Sequence, residues 1–541
     1  MIERVIENWL TNTNELGLQI PFCQLLSHKG YRVKFISRHG PGEQGKDIIA
    51  LDKRNKPWAF QLKSGNISVQ SWRKIRPQLE ELIEIPIHFP GISKRTKHQT
   101  ALVTNGQLIG DAVRGIDDFN LSYGKRGFPT LEAWVGTQLL TDFVELHGQF
   151  LPLEPKDFQR FLELFLADGT DLLPKIKFSK FLLSFMPFGK RKVAKNNLKR
   201  NIASAVLLTS YILESYRKKD NYIAVVEGWG LLASHVLALA EKFELEEKYW
   251  AGSYELVMHG IEKQLENFKD EILDRDHFVE GDGLFDGWIF YRSRMTITLG
   301  HLAAFELYKM LKIKKKISDA NVLRILRERF KEMYLWGESA VPMYLLVSLY
   351  LELNGNQSEA ETILSLLVQA IINENYPYKE EEGMPNPYYD VETILDYKVD
   401  ILKSYTIEAR KLIDIGNLTD ESFLGSSYSL ETLIEMLARR MRRQLLNRLW
   451  RDITYIQFNE LVPKLKWENY LWEAKSGKLT TRKASKPESW ASLFERAKNR
   501  TPKSVPAYLE KKAEFLPLFL LIYPHRLRPD TVKLLEDALT F

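Results

Sequence analysis

Asp47, Gln61 and Lys63 are the residues whose types and spacing best suit chemistry in this chain. An acid, an amide and a lysine gathered on one side of a β-hairpin suit metal-assisted phosphodiester hydrolysis. Asp47 would hold Mg²⁺ (or Mn²⁺), a hard cation that takes oxygen ligands and keeps waters for a substrate phosphate. The side-chain oxygen of Gln61, or the backbone carbonyl of Leu62, would complete the protein's share of that shell. Lys63 would orient or deprotonate the attacking water, or stabilise the charge that develops on the phosphoryl group. The competing reading is an amphipathic hairpin with ordinary solvated charges on its outer face.

The elements that must position these residues are two short apolar runs, residues 48–51 and 57–63, joined by the polar link Lys53-Arg54-Asn55-Lys56. That is a hairpin pattern. Strand side chains alternate, so Trp58, Phe60 and Leu62 fall on one face and Ala59, Gln61 and Lys63 on the other. Pairing Asp52 with Trp58 sets Ile49 opposite Gln61 and Asp47 opposite Lys63. Asp47, Gln61 and Lys63 then share a face, and a one-residue slip would separate them.

The order Gly45-x-Asp47, strand, Gln61-x-Lys63 resembles the Gln-x-Lys variant of the PD-(D/E)xK nuclease superfamily, in particular Mrr-like restriction endonucleases. The resemblance covers about the first 150 residues, the size of one domain. Upstream, a helical stretch runs into Lys29-Gly30-Tyr31-Arg32-Val33-Lys34-Phe35, like that family's first helix and strand. Downstream, residues 100–106 are similar to its fourth strand and Thr-containing turn, and residues 131–139 to its last strand-to-helix step. The resemblance implies a Glu on the first helix that joins the metal shell. Glu15 takes that role here, with Gln19 one helical turn later as a rival and Glu7 and Glu43 as weaker candidates. A neutral Gln61 in place of Glu implies modest metal affinity.

A helix is expected over residues 72–85, capped by Ser68 or Ser71 after Gly65 ends the strand. Arg73, Lys74 and Arg76 at its start would touch DNA phosphates, contacts that carry affinity rather than sequence information. Otherwise they form a solvated face. Lys94-Arg95-Thr96-Lys97-His98 is a second basic stretch before the fourth strand, either a backbone contact or a polar loop.

Composition permits this reading without demanding it. The 541 residues are 45% hydrophobic and 12% aromatic, enough for two to four domains with large cores. The charge of +6 is a mild excess that allows nucleic-acid binding. One cysteine, Cys23, excludes an intrachain disulfide and a Cys-based zinc site, and a small buried residue in a reducing cytosol is expected. The acidic, amphipathic start is unlike a secretory signal. The runs 181–188 and 515–523 are too short to span a bilayer. A cytoplasmic protein with no membrane partner is therefore expected.

Pro152 and Pro155 mark a boundary, after which leucines and alanines recur at helical spacing. Residues 175–200 interleave Phe178, Phe181, Phe185 and Phe188 with many cations. Such a pattern stacks bases, or else forms a helix with a buried apolar face before an exposed loop. Residues 222–232 and 344–353 are expected as first helices of helix pairs, without the sustained 34-residue register of tetratricopeptide repeats. Asp276 to Gly287 fails as a calcium loop, since Phe278 and Gly287 occupy positions that need oxygen ligands. A charged, proline-containing loop is expected over residues 379–387. Arg439, Arg440, Arg442 and Arg443 would bind nucleic acid or acidic helices of the same chain. Residues 475–486 read as a flexible basic loop.

The expected organisation is an α/β restriction-endonuclease-like domain over residues 1–151, with a mixed central sheet flanked by helices. A helical region of α-hairpin repeats follows over 152–378, then a C-terminal helical region over 379–541, together an irregular repeat or bundle. The expected function is a Mg²⁺-dependent DNA endonuclease. The resemblance implies restriction or antiviral defence, with the helical part sensing a trigger, binding a protein partner or self-associating. The rival readings are a degenerate nuclease fold serving as a DNA-binding adaptor, and a nuclease for branched DNA or RNA.

Overall fold

In the computed structural model the chain is 66% helical, with a five-stranded mixed sheet near its start and a large helical region beyond. The residues described are 2–541 without 38–44, 94–96, 149–154, 275–283, 378–382, 390, 392–424, 463–464, 472–479, 484–485, 488 and 502–504. Glu43, Lys94-Arg95-Thr96, Pro152, most of the acidic 274–287 stretch and half of the 379–387 loop thus lie outside the described residues.

The chain forms two compact units. The first comprises Met1–Leu173, Lys180–Leu232 and Glu246–Lys263, and the second Pro174–Ser179, Ala233–Leu245 and Gln264–Phe541. The 151/152 cut therefore falls inside the first unit and the 378/379 cut inside the second.

The first unit is built on strands β1 (Arg32–Ile36), β2 (Ile48–Leu51), β3 (Pro57–Lys63), β4 (Gln99–Thr104) and β5 (Leu131–Trp134), which lie side by side in chain order. β1, β2 and β3 pair antiparallel, and β4 and β5 continue in parallel. Two parallel connections need crossovers, which helices α3 (Val69–Glu84) and α4 (Ala112–Lys125) supply. Helices α1 (Ile2–Asn12), α2 (Glu15–His28) and α5 (Gly136–Gly148) complete this part.

β3 is the central strand, and six of its seven residues are buried. One face carries Phe60, whose ring meets Phe22 of α2 at 5.5 Å and Trp134 at 5.7 Å. The other face carries Ile49, Ala59 and Leu102, packed with Trp72, Leu79 and Leu82 of α3 and Ile116 and Phe119 of α4. Burial of both faces explains why β3 reads as an almost continuous apolar run.

The observed register differs from the expected one. Ile48 faces Phe60 and Ile49 faces Ala59, a shift of two residues that sets Asp47 level with Gln61 rather than Lys63. The cause is the turn. Asn55 adopts φ +62°, and Asp52 Oδ1 accepts from the amides of Arg54 and Lys56, so the link closes tightly and pairs Leu51 with Pro57. A shift of two preserves side-chain parity, so the three residues stay on one face.

In the second unit the hairpin Val341–Leu353 and Gln357–Asn375 forms as expected, with Gly355 at φ +82° in its turn. The region is not wholly helical, however. Strands β6 (Ser426–Ser427), β7 (Gln457–Val462) and β8 (Thr480–Lys483) form a three-stranded sheet. Thr480–Lys483, expected within a flexible loop, pairs antiparallel with β7, so its β-branched threonines win over its charge. One helix, Tyr222–Phe243, is long and apolar enough to cross a membrane, with mean hydropathy 1.7, yet 89% of that stretch is buried inside the fold. It is more apolar than the sequence expectation allowed, and its burial is that of a core helix.

Candidate active site

Gly45 begins the site because only a residue without Cβ fits there. Its φ is +70°, and a Cβ would stand 2.3 Å from the carbonyl oxygen of Gln78 in α3. The next two residues turn inward. Lys46 is 3% exposed, its Nζ donates to the carbonyl of Glu81 at 3.3 Å, and burial pulls its ammonium down to about 8. Sequence spacing did not single out Lys46, and only its place between Gly45 and Asp47 signalled it.

Asp47 sits where β2 leaves β3. Its backbone N–H still donates to Phe60 at 2.9 Å, and beyond that its side chain takes over the pairing. Oδ2 accepts from the Leu62 amide at 2.6 Å and from Gln61 Nε2 at 2.7 Å. Asp47 and Gln61 are 4% and 5% exposed, so the solvated-hairpin reading fails. The carboxylate also fixes the Gln61 amide, because the flipped orientation would set two oxygens against each other. Gln61 Oε1 therefore points away from Asp47, and it is buried with no hydrogen-bond partner. Leu62, whose carbonyl is the expected alternative metal ligand, meets Asp47 through its N–H.

Lys63 closes β3, and its Nζ lies 3.4 Å from Glu15 Oε2 at the first turn of α2. Asn14 caps that helix by accepting from the Gly17 amide at 3.0 Å, and Glu15 is favoured at the positive end of the helix dipole. Among the first-helix candidates Glu15 is thus the one that reaches Lys63. Gln19 is buried and donates to the carbonyl of Ser37 at 3.4 Å, while Glu7 is exposed on α1.

The loop after β3 is fastened to the turn after β4, which holds the end of β3 in place. Thr104 Oγ1 donates to the Gly65 carbonyl at 2.7 Å, and Asn105 Oδ1 accepts from the Gly65 amide at 2.6 Å. Asn105 Nδ2 in turn donates to the carbonyls of Leu10 and Thr13, each at 2.7 Å. Ser68 caps α3 through the Ser71 amide, as expected. Arg73, Lys74 and Arg76 are exposed on its first turns, and Arg76 pairs with Glu80 at 3.0 Å.

No group of three His, Cys, Asp or Glu side chains is placed to hold a metal among the described residues. The donor set here is one carboxylate, one carboxamide oxygen without a partner, and a second carboxylate on Lys63. It fits Mg²⁺, which needs one or two carboxylates and otherwise water or substrate oxygens. Outside this region the sequence candidates have other occupations. Phe178, Phe181 and Phe188 are buried while the lysines beside them are exposed, which is the apolar-faced helix rather than a stacking platform. Arg439 and Arg440 both reach Glu536 at 2.7 Å, and Arg442 pairs with Glu361, so three of the four arginines bind acidic helices of the same chain. Comparison of the chain with protein-family models, curated proteins and solved structures finds no match.

Proposed function

We propose that this protein is a metal-dependent endonuclease of the PD-(D/E)xK type, acting on DNA and directed against foreign DNA. The observation that carries the reading is the Asp47–Gln61 pair, in which a buried carboxylate orients a carboxamide so that its oxygen is left without a partner. A structural aspartate would need only the Leu62 and Gln61 donors. It would not require an orphaned acceptor beside it, whose burial costs about 1–3 kcal/mol. The sheet order, with an antiparallel β1–β2–β3 run joined to parallel β4 and β5, supports the same assignment.

In this reading Asp47 would hold Mg²⁺ with Glu15 assisting, the Gln61 amide would turn its Oε1 from its present direction toward the ion, and the ion would supply charge stabilisation at the scissile phosphate. Lys63, steadied by Glu15, orients the attacking water and meets the negative charge that develops on the phosphoryl oxygens. Arg73 and Lys74 hold the DNA backbone. The helical region senses a trigger, binds a protein partner or self-associates.

One observation favours the rival, a DNA-binding adaptor. Asp47 Oδ2 already has two donors, as a purely structural aspartate would. Mg²⁺-dependent plasmid cleavage by wild type, Asp47→Ala and Lys63→Ala separates the two readings. Nuclease action predicts a loss of at least about 100-fold in each variant. Cleavage that survives both substitutions removes this site, and DNA binding with no cleavage by wild type assigns the adaptor. Linear duplex, four-way junction and RNA substrates compared side by side fix the substrate class.

A further inference from the structure

Arg526, in the second unit, is the cation whose burial is least matched by its surroundings. It ends the single 3-10 turn Pro524–Arg526, between helices Leu516–Ile522 and Pro529–Ala538. The side chain is 2% exposed. Nη2 donates to the carbonyls of Glu468 at 2.7 Å and Leu471 at 3.3 Å. Nε and Nη1 are shut off from solvent and meet no acceptor. Among the described residues no carboxylate forms an ion pair with Arg526. Glu468 spends Oε2 on the Leu465 amide at 3.0 Å, and Glu460 pairs with Arg528 at 3.4 Å. Burial, with Arg528 beside it, pulls the guanidinium down to about 9.

An unpaired buried charge is among the most expensive features a fold carries. Half-buried arginines of this unit avoid it. Arg439 and Arg440 share Glu536, while Arg496 and Arg500 converge on Glu435. The strap around Arg526 does the opposite, since it also brings in Arg528 and His525, 7% and 3% exposed. Among the described residues Glu468 is an acid whose charge favours the Arg526 guanidinium, but it makes no ion pair with it, and Arg528 acts in the opposite sense.

We propose that the Pro524–Pro529 strap is an anion site that takes a phosphate group, free or as the phosphate ester of a small molecule, on Arg526. The unmet donors are the one hydrogen of Nε and the two of Nη1, which a phosphate's several acceptor oxygens match better than the two of a carboxylate. The inference is independent of the nuclease reading, because it rests on residues of the second unit alone.

Calorimetric titration of the full chain in a phosphate-free buffer, with inorganic phosphate, ATP and acetate in separate runs, tests it. Saturable binding of phosphate or ATP is expected, tighter than acetate. Binding of phosphate alone marks a free ion, and binding of ATP alone marks an ester. Arg526→Met should weaken the bound probe at least about tenfold, while Arg324→Met, on an exposed helix face, leaves it unchanged. Arg526→Met should also melt no lower than wild type without ligand, since it removes an unpaired charge. Should that variant not fold, Arg526→Lys keeps the charge, loses the fork, and must still weaken binding about tenfold. No saturable binding of phosphate or ATP overturns the proposal. So does acetate binding as tightly, or an affinity unchanged in whichever Arg526 variant folds.

Discussion

Replacing Gln61 by Glu tests the site through stability rather than turnover. In wild type, Gln61 Nε2 donates to Asp47 Oδ2 at 2.7 Å in a buried setting. Glu at position 61 would place a second carboxylate at that distance. Two unit charges 2.7 Å apart repel by about 6 kcal/mol at an effective dielectric of 20, so the pair will hold one proton between them. If the shared proton leaves near pH 7 instead of the ordinary 4.3 of Glu, the penalty above pH 7 is about 3–4 kcal/mol. The sign follows from linkage. The folded state binds more protons than the unfolded one between those values, so the variant loses stability as pH rises and recovers it below about pH 4. A divalent ion between the carboxylates offsets the repulsion, and at 100 times its Kd it adds about 2.7 kcal/mol to the folded state. Thermal unfolding at pH 8 should therefore show Gln61→Glu well below wild type in EDTA and most of the way back in 10 mM Mg²⁺, with a smaller Mg²⁺ response in wild type. A variant that melts equally with and without Mg²⁺ would refute the reasoning, because Asp47 and residue 61 would then not be ligands to a common ion.

Other outcomes follow from the same geometry. Arg73 and Lys74 are exposed, so the double Ala variant should weaken DNA binding evenly across sequences and lower the slope of log K against log salt by about 1.8, read by fluorescence anisotropy. Asn105→Ala removes three hydrogen bonds that join α1, the β3 loop and the β4 turn. It should cost about 2–3 kcal/mol in denaturant unfolding and lower cleavage by loosening the end of β3. Burial raises the Glu338 carboxyl to about 7, outweighing the donors from Ser429 and Tyr428 that pull it down. The folded state then gains a proton relative to the unfolded one between pH 4.5 and 7. Its contribution is intact below that window and about 3 kcal/mol smaller above it, a slope that Glu338→Gln should flatten in pH-dependent melting.

Sheet elements were legible where alternation and turn chemistry coincide. Residues 57–63 announced a strand, Ser68 announced the cap of α3, and residues 100–104 and 131–134 announced strands that the fold does contain. The pairing of β2 with β3 was not legible, because it depends on Asn55 entering a positive φ and on Asp52 bonding two amides of its own loop. Asp47, Gln61 and Lys63 kept a common face because the error was even. A slip of one residue would have set Asp47 on the face opposite Gln61 and Lys63, whereas a slip of two only exchanged which residue stands level with Asp47. Periodicity also cannot reveal that Asp47 uses its side chain to bind the Leu62 amide, nor that Glu15 rather than Gln19 reaches Lys63, since both lie on one side of α2 a turn apart.

In the helical region, arginine clusters in sequence say little about what they bind, because their partners lie far along the chain. For Arg440 nucleic acid and acidic helices of the same chain were both open, and it meets Glu352 at 3.0 Å and Glu536 at 2.7 Å, separated from it by 88 and 96 residues. Arg526 stands between His525 and Leu527 with Arg528 next, and no carboxylate among the described residues forms an ion pair with it. The two side chains are chemically identical, one half-buried and one buried, and local composition cannot rank them. What distinguishes them is whether distant acids converge on the guanidinium, a property of topology. It follows that the buried arginine without an ion pair among the described residues is not in the 439–443 cluster, where Arg439, Arg440 and Arg442 each meet an acid of the same chain.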